Sequence, residues 1–183
     1  MAKENIKETF EIKEGFSFDI DRNSIIITQG EKKVKKSFNL KNIIVKKEGK
    51  NLVLESKKAT KREKRMVKTI IAHLSNVIKG FEEEFVYKLG IAYLHFPITI
   101  EMDKDKKSLL IKNFLGEKKP RIAKIIPGAN VEIDRNVIIV KSHDKEIAGQ
   151  TAANIEYATK IRNRDRRKFQ DGIFLTEKNG RAI

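Results

Sequence analysis

A chain of 183 residues with 39% hydrophobic side chains can bury one substantial core or two small ones, and its frequent isoleucine and valine favour sheet. Forty lysines and arginines against 25 acids leave a formal charge of +15, an excess that attracts polyanions, with nucleic acid the first candidate and an anionic membrane surface the second. The lack of cysteine excludes disulfides and thiolate metal sites, no apolar run approaches a membrane span, and residues 1–14 are too polar for a secretory signal, so a soluble cytoplasmic protein is expected.

In chain order, strand-like alternation begins at Phe10 and Ile12 and continues through Phe16, Phe18 and Ile20. Further strands are expected at residues 25–27, 34–38, 43–45 and 52–54, separated by Gly, Asn and Asp turns. Thr60-Lys61-Arg62-Glu63 is a capping box, in which the Thr60 hydroxyl can accept from the Glu63 amide and the Glu63 carboxylate can reach back. Met66, Val67, Ile70, Ile71, Leu74, Val77 and Ile78 follow at helical spacing, with Ile70, Ile71 and Leu74 expected on the sheet and Gly80 as the stop. A second series of strands is expected at 85–87, 93–100, 109–111, 122–126, 131–133 and 137–140. Ile147, Thr151, Ile155 and Ala158 then mark a second helix, whose Ala148, Gly149, Ala152 and Ala153 suit close packing on a sheet.

The two series read as an internal duplication. Residues 45–56 and 131–142 match at an offset of 86, each an alternating segment, a polar turn and a strand. Upstream, residues 24–27 match 108–111, and Gly30-Glu31-Lys32-Lys33 matches Gly116-Glu117-Lys118-Lys119. The expected fold class is α+β, two similar domains, each a small antiparallel sheet packed with a helix. The expected limits are 1–80 and 81–159, followed by a basic tail over 160–183.

The tail is where the positive charge of the second half concentrates. Lys160, Arg162, Arg164, Arg166, Arg167 and Lys168 stand against a single acid, Asp165. Arginine predominates there, in a chain that otherwise prefers lysine, and its planar fork grips phosphate at two points and stacks on bases. Phe169 beside them can stack on an exposed base or anchor the tail on its own domain. Lys118, Lys119 and Arg121, and likewise Lys32, Lys33, Lys35 and Lys36, flank the matched turns and can touch phosphate or guard a sheet edge. Residues 57–68 carry seven cations and one acid at a helix N-terminus, against the macrodipole; that segment is either an exposed solubilising turn or a second contact for a polyanion.

No catalytic constellation accompanies the charge. His73, His95 and His143 lack ligand spacing, the ten glycines are scattered and form no phosphate loop, and Glu82-Glu83-Glu84 reads as a solvated run. Neither an enzyme nor a resident metal or cofactor is expected. A free-standing single-strand binder would need more aromatic surface than 7% allows, and the basic segments lack the bulky apolar face of a membrane-surface helix.

Residues 167–175, RKFQDGIFL, with Ile161, Arg164 and Lys178 at fitting positions, resemble the C-terminal signature of the large-subunit ribosomal protein six family in its archaeal and eukaryotic branch. Residues 93–98, YLHFPI, are similar to that branch's opening of the second domain, and the duplication extends the likeness over nearly the whole chain. The resemblance implies two α+β domains and a structural role in the large ribosomal subunit. It implies binding to large-subunit rRNA mainly through the second domain and tail, near the base of the acidic stalk and the factor-binding region, with neighbouring ribosomal proteins as further partners. It carries an RNA-binding role onto Arg167, Lys168, Phe169 and Gly172, with Asp171 in the same motif. No membrane and no small-molecule substrate are implied.

Overall fold

Alternating apolar residues turn one face of each strand onto a core, and the computed structural model, which describes residues 4–12, 15–21, 23–30, 32–49, 51–105, 107–165 and 167–183, shows which faces meet. The chain divides into two compact units, Met1–Phe81 and Glu82–Ile183. In the first, β1 (Glu4–Glu11), β2 (Ser17–Asp21), β3 (Ser24–Gln29), β4 (Lys32–Ser37), β5 (Ile44–Glu48) and β6 (Asn51–Ala59) precede α1 (Lys61–Glu82). The strands pair antiparallel in two sheets, ordered β1-β6-β5 and β2-β3-β4. Phe18, Ile25, Ile27, Leu52 and Leu54 from the sheets pack with Val67, Ile70, Leu74 and Val77 of α1. Ile70 and Leu74 are fully buried, as their spacing predicts, and Ile71 is half-buried at the edge of that face.

The second unit repeats the plan. Its elements are β7 (Phe85–Ala92), β8 (Thr99–Met102), β9 (Ser108–Lys112), β10 (Arg121–Lys124), β11 (Asn130–Asp134), β12 (Val137–Ser142) and α2 (Lys145–Ala158), followed by β13 (Gly172–Lys178) and β14 (Arg181–Ala182). The orders β7-β12-β11 and β8-β9-β10 reproduce the two sheets of the first unit. The offset of 86 holds at the level of register and of single atoms. Val45 lies opposite Leu54, and Val131 opposite Val140. The buried Ser56 hydroxyl donates to the Asn42 carbonyl at 2.7 Å, and the buried Ser142 hydroxyl to the Gly128 carbonyl at 2.8 Å. The fold is therefore a duplicated α+β unit, with two small sheets and one helix in each half.

Two expectations need correction. Gly80 does not stop α1, which continues to Glu82 because Phe81 is buried and its ring meets Phe16 at 5.8 Å. Residues 93–98 are not strand: β7 ends at Ala92 and β8 begins at Thr99, since the Leu94 and His95 amides donate to a side chain rather than to a ladder. The end of the tail docks on its own domain as a strand. Gly172–Lys178 pairs with β7 and extends the sheet to β11-β12-β7-β13-β14, with Ile173 fully buried. Ile173 and Leu175 alternate with outward Phe174 and Thr176, a short strand signal next to a much louder run of charge.

The capping box forms with one difference. The Thr60 amide donates to the Glu63 carboxylate at 2.9 Å and the Thr60 hydroxyl bonds the same oxygen, whereas the amide that reaches the Thr60 hydroxyl is that of Arg62, at 3.3 Å. These bonds, the hydroxyl first, and a further one from Asn42 hold the Glu63 carboxyl at about 2. Its contribution to stability is complete above about pH 4.5, its ordinary value, and is lost as the pH falls toward 2. The stability difference between wild type and Glu63→Gln, followed by thermal melts from pH 6 to pH 2, should therefore close on acidification. In the core beneath, Leu74→Ala should cost about 2–5 kcal/mol in urea titrations; a loss below about 1 kcal/mol would place Leu74 outside the core.

Candidate nucleic-acid interface

The basic segment after α2 is a loop closed at its base. Thr159, the C-cap of α2 and buried, donates its hydroxyl to the Glu156 carbonyl at 3.1 Å and accepts the Ile173 amide at 2.9 Å. Residues 160–172 thus leave and re-enter the core at neighbouring points, as in an Ω-loop. Asp165, the single acid of the charged run, shapes the loop. Its carboxylate accepts the Arg167 amide at 2.9 Å, and its carbonyl accepts the Lys168 and Phe169 amides at 3.1 and 3.0 Å. Asn163 supplies a left-handed residue at φ 55°, a conformation its short side chain tolerates better than most.

The second anchor is Asp171, fully buried. Its Oδ1 accepts the Leu94 amide at 3.1 Å and His95 Nδ1 at 3.0 Å, and its Oδ2 accepts the His95 amide at 3.2 Å. Burial pushes this carboxyl up, but the His95 ring and the two amides outweigh it and hold the group below its ordinary range. An ionised acceptor requires the proton on His95 Nδ1, which fixes the tautomer. The His95 ring then stacks on Phe169, with centroids 4.9 Å apart and planes 26° from parallel, while the Arg164 guanidinium stands 4.9 Å from the Phe169 centroid. Phe169 is half-buried and already has two ring partners, the contacts an anchor makes. Gly172 is also buried, and a Cβ there would lie 2.9 Å from the tip of the exposed Phe174 ring, which would have to shift to admit it.

The remaining residues named from the sequence divide by what holds them. Lys160, Arg162, Arg164, Arg167 and Lys168 are exposed, as are Lys118 and Lys119; Arg166 lies outside the described residues. Arg162 and Lys160 flank the Tyr157 ring at 5.8 and 5.4 Å from its centroid. Arg121 points inward. It pairs with Glu117 through Nε and Nη2 at 2.8 and 2.6 Å, donates from Nη1 to the Ala158 and Lys160 carbonyls at 3.0 and 3.2 Å, and lies 4.2 Å from the Phe114 ring centroid. The Arg121 bonds hold the Glu117 carboxyl below its ordinary range. Arg121 thereby draws the 117–121 segment, with Lys118 and Lys119, against the start of the 160–172 loop, so two basic segments about 40 residues apart share one surface. Lys32, Lys33, Lys35 and Lys36 sit on β4, an edge strand of the first unit, where lysine opposes edge pairing.

The sequence named Asp171 only as part of the tail motif and gave no role to His95, Tyr157 or Glu117. The usable signal for Asp171 was an acid directly before a glycine and an apolar triplet, a place where a solvated carboxylate is out of keeping. Among the described residues no group of three or more His, Asp or Glu could hold a metal ion, and no helix is long and apolar enough to cross a membrane.

Comparison with known proteins gives a consistent result. The family model described as Ribosomal protein L6 matches residues 96–172, the span from the His95–Phe96 turn to the end of the basic loop. Over the whole length, the chain is 40% identical to the large ribosomal subunit protein uL6 of Methanococcus vannielii, across 97% of both chains. It is 41% identical to the protein of the same name from Aeropyrum pernix, across 97% of this chain and 98% of that one. The uL6 of Staphylothermus marinus is 42% identical across 93% and 94%.

Asp171→Asn keeps the shape of the anchor but offers one acceptor oxygen to three donors and points an amide at one of them. It should cost about 2–4 kcal/mol in denaturant unfolding, with faster hydrogen exchange at the Leu94 and His95 amides. Unchanged exchange at those two amides would show that the loop does not depend on this carboxylate.

Proposed function

The chain belongs to the ribosomal protein L6 family, and from that premise we propose that it is a structural constituent of the large ribosomal subunit, bound to large-subunit rRNA through the 160–172 loop. The observation that carries this reading is the closed loop itself. It concentrates cations, its two acids shape its own backbone (Asp165) or lie buried as an anchor (Asp171), and it is tied to the core by Thr159, Phe169 and Asp171. A loop ordered before binding loses less entropy on binding than a free tail. Arginine at its surface suits the non-bridging oxygens of phosphate in two-point contacts.

Within this reading the residues take different parts. Arg162, Arg164, Arg166, Arg167 and Lys168 contact phosphate, with Lys160, Lys118 and Lys119 extending the same surface. Arg121, Phe169 and Gly172 act as positioning residues, since their contacts are internal. Residues 1–80 and 81–159 serve as the duplicated scaffold. The resemblance noted from the sequence further suggests a place near the stalk base and the factor-binding region, in contact with neighbouring ribosomal proteins. The protein then supports translation as part of the cytoplasmic ribosome, without turnover of its own and without a cofactor.

Replacing Arg164, Arg166 and Arg167 together with alanine should leave thermal unfolding close to wild type and weaken binding to large-subunit rRNA transcribed in vitro. Each phosphate that the variant no longer grips should flatten the dependence of log affinity on log salt by roughly 0.7–0.9, and the variant should wash from large subunits at lower salt during sedimentation. Wild-type affinity and slope in the triple variant would move the interface elsewhere, with the cationic start of α1 as the next surface to test.

A further inference from the structure

We infer that the hollow beside the basic loop receives one unpaired nucleobase of the RNA whose phosphates the loop holds; this rests on the RNA-binding reading above and adds to it a contact with a base. The hollow has a volume of about 650 Å³ and lies between the C-terminal half of α2, the adjoining ends of β7 and β13, and the loop. That is the size of a small-ligand site, about 300–1,000 Å³. Its walls include the rings of Tyr157, Phe169 and Phe174, and it is kept open by two small residues, Ala92 and Ala153. Phe169 already has His95 and Arg164 as ring partners and forms a wall. Tyr157 and Phe174 leave 61% and 39% of their surface exposed, so flat apolar area is available to a ligand.

The surroundings select the ligand. An apolar side chain of a protein neighbour would match the walls but not the rim, where Lys160 and Arg162 flank Tyr157 and Arg164 flanks Phe169. A base attached to its own phosphates matches both, the ring on Tyr157 and the phosphates on the rim cations. A base inside a duplex is excluded because its faces are covered by its neighbours. Glu156 also lines the hollow, and its carboxylate has no side-chain hydrogen bond or ion pair among the described residues. A free carboxylate repels phosphate and accepts from N–H donors, so within the hollow it favours the edge of a base that carries them, guanine above all.

Two variants test this without removing a cation. Ala153→Trp fills the hollow from an exposed position of α2, and Tyr157→Ala removes the stacking surface at another. Affinity for large-subunit rRNA transcribed in vitro is measured over a salt series for both variants and wild type. The expected result is binding weakened roughly ten-fold in each, with the salt slope unchanged because every cation still meets its phosphate. Affinity within two-fold of wild type in both variants would overturn the inference while leaving the loop as the RNA interface, and would turn the hollow over to a protein neighbour. Weaker binding with a flatter slope would also overturn it, by showing that the variants had disturbed the cations. A wild-type protein that fails to bind the rRNA would remove the RNA-binding reading itself, and the base site with it.

Discussion

A carboxylate removed from water has to be given hydrogen bonds, and the basic surface of this protein is organised around one such group. Asp171 is fully buried and is satisfied by two backbone amides and a ring nitrogen, all from residues 94 and 95. That need bends residues 93–98 away from strand geometry and brings them to the start of β13. It also sets the plane of the His95 ring, on which Phe169 stacks, and the stack in turn fixes where the arginine-rich segment re-enters the core. Were Asp171 unable to hold its negative charge there, the two amides would be left facing a poorer acceptor. The hydrogen bond from the His95 ring, together with those of the two amides, outweighs its desolvation.

The cations of the loop and its surroundings are unequal partners. Those with internal partners shape the surface, and those without are available to a polyanion. Arg121 belongs to the first kind: a guanidinium with four hydrogen bonds and an aromatic face beneath it would have to give up all of these to reach phosphate. Arg162 and Arg164 rest on aromatic rings, which limits their freedom without neutralising their charge. Two acids of this surface, though exposed, are likewise engaged. Asp165 caps backbone amides and Glu117 is held by Arg121, so neither offsets the field of the neighbouring cations as much as a free carboxylate would.

Duplication explains the scaffold and its departure explains the site. The two halves share strand order, register and even the hydrogen bond from a buried serine to a carbonyl 14 residues earlier. What the second half has in addition is the segment after its helix, which returns as β13 along the free edge of β7. Among the described residues, β1, the counterpart of β7, has β6 as its one strand neighbour. The basic loop is the connection that this added strand makes necessary, so the basic surface grows from the feature that distinguishes the halves.

The sequence by itself determined the α+β class, the duplication, both helices and the place where arginine concentrates; it put Ala153 on the sheet with Ala148 and Ala152, but Ala153 is exposed, one position past the buried face of α2. Each of these is written locally: a period of two or of 3.6, a capping box, an offset of 86, a run of like charge. It was silent on the contacts that make the charged run a surface. The bond from Leu94 to Asp171 spans 77 residues, that from Arg121 to Lys160 spans 39, and the hollow has walls from three separate segments. Nothing in the spacing of neighbouring side chains records such pairings. They exist only once β13 lies against β7 and α2 has packed on the sheet, and it was this packing that separated Arg121 from the exposed cations and Asp171 from an ordinary turn residue.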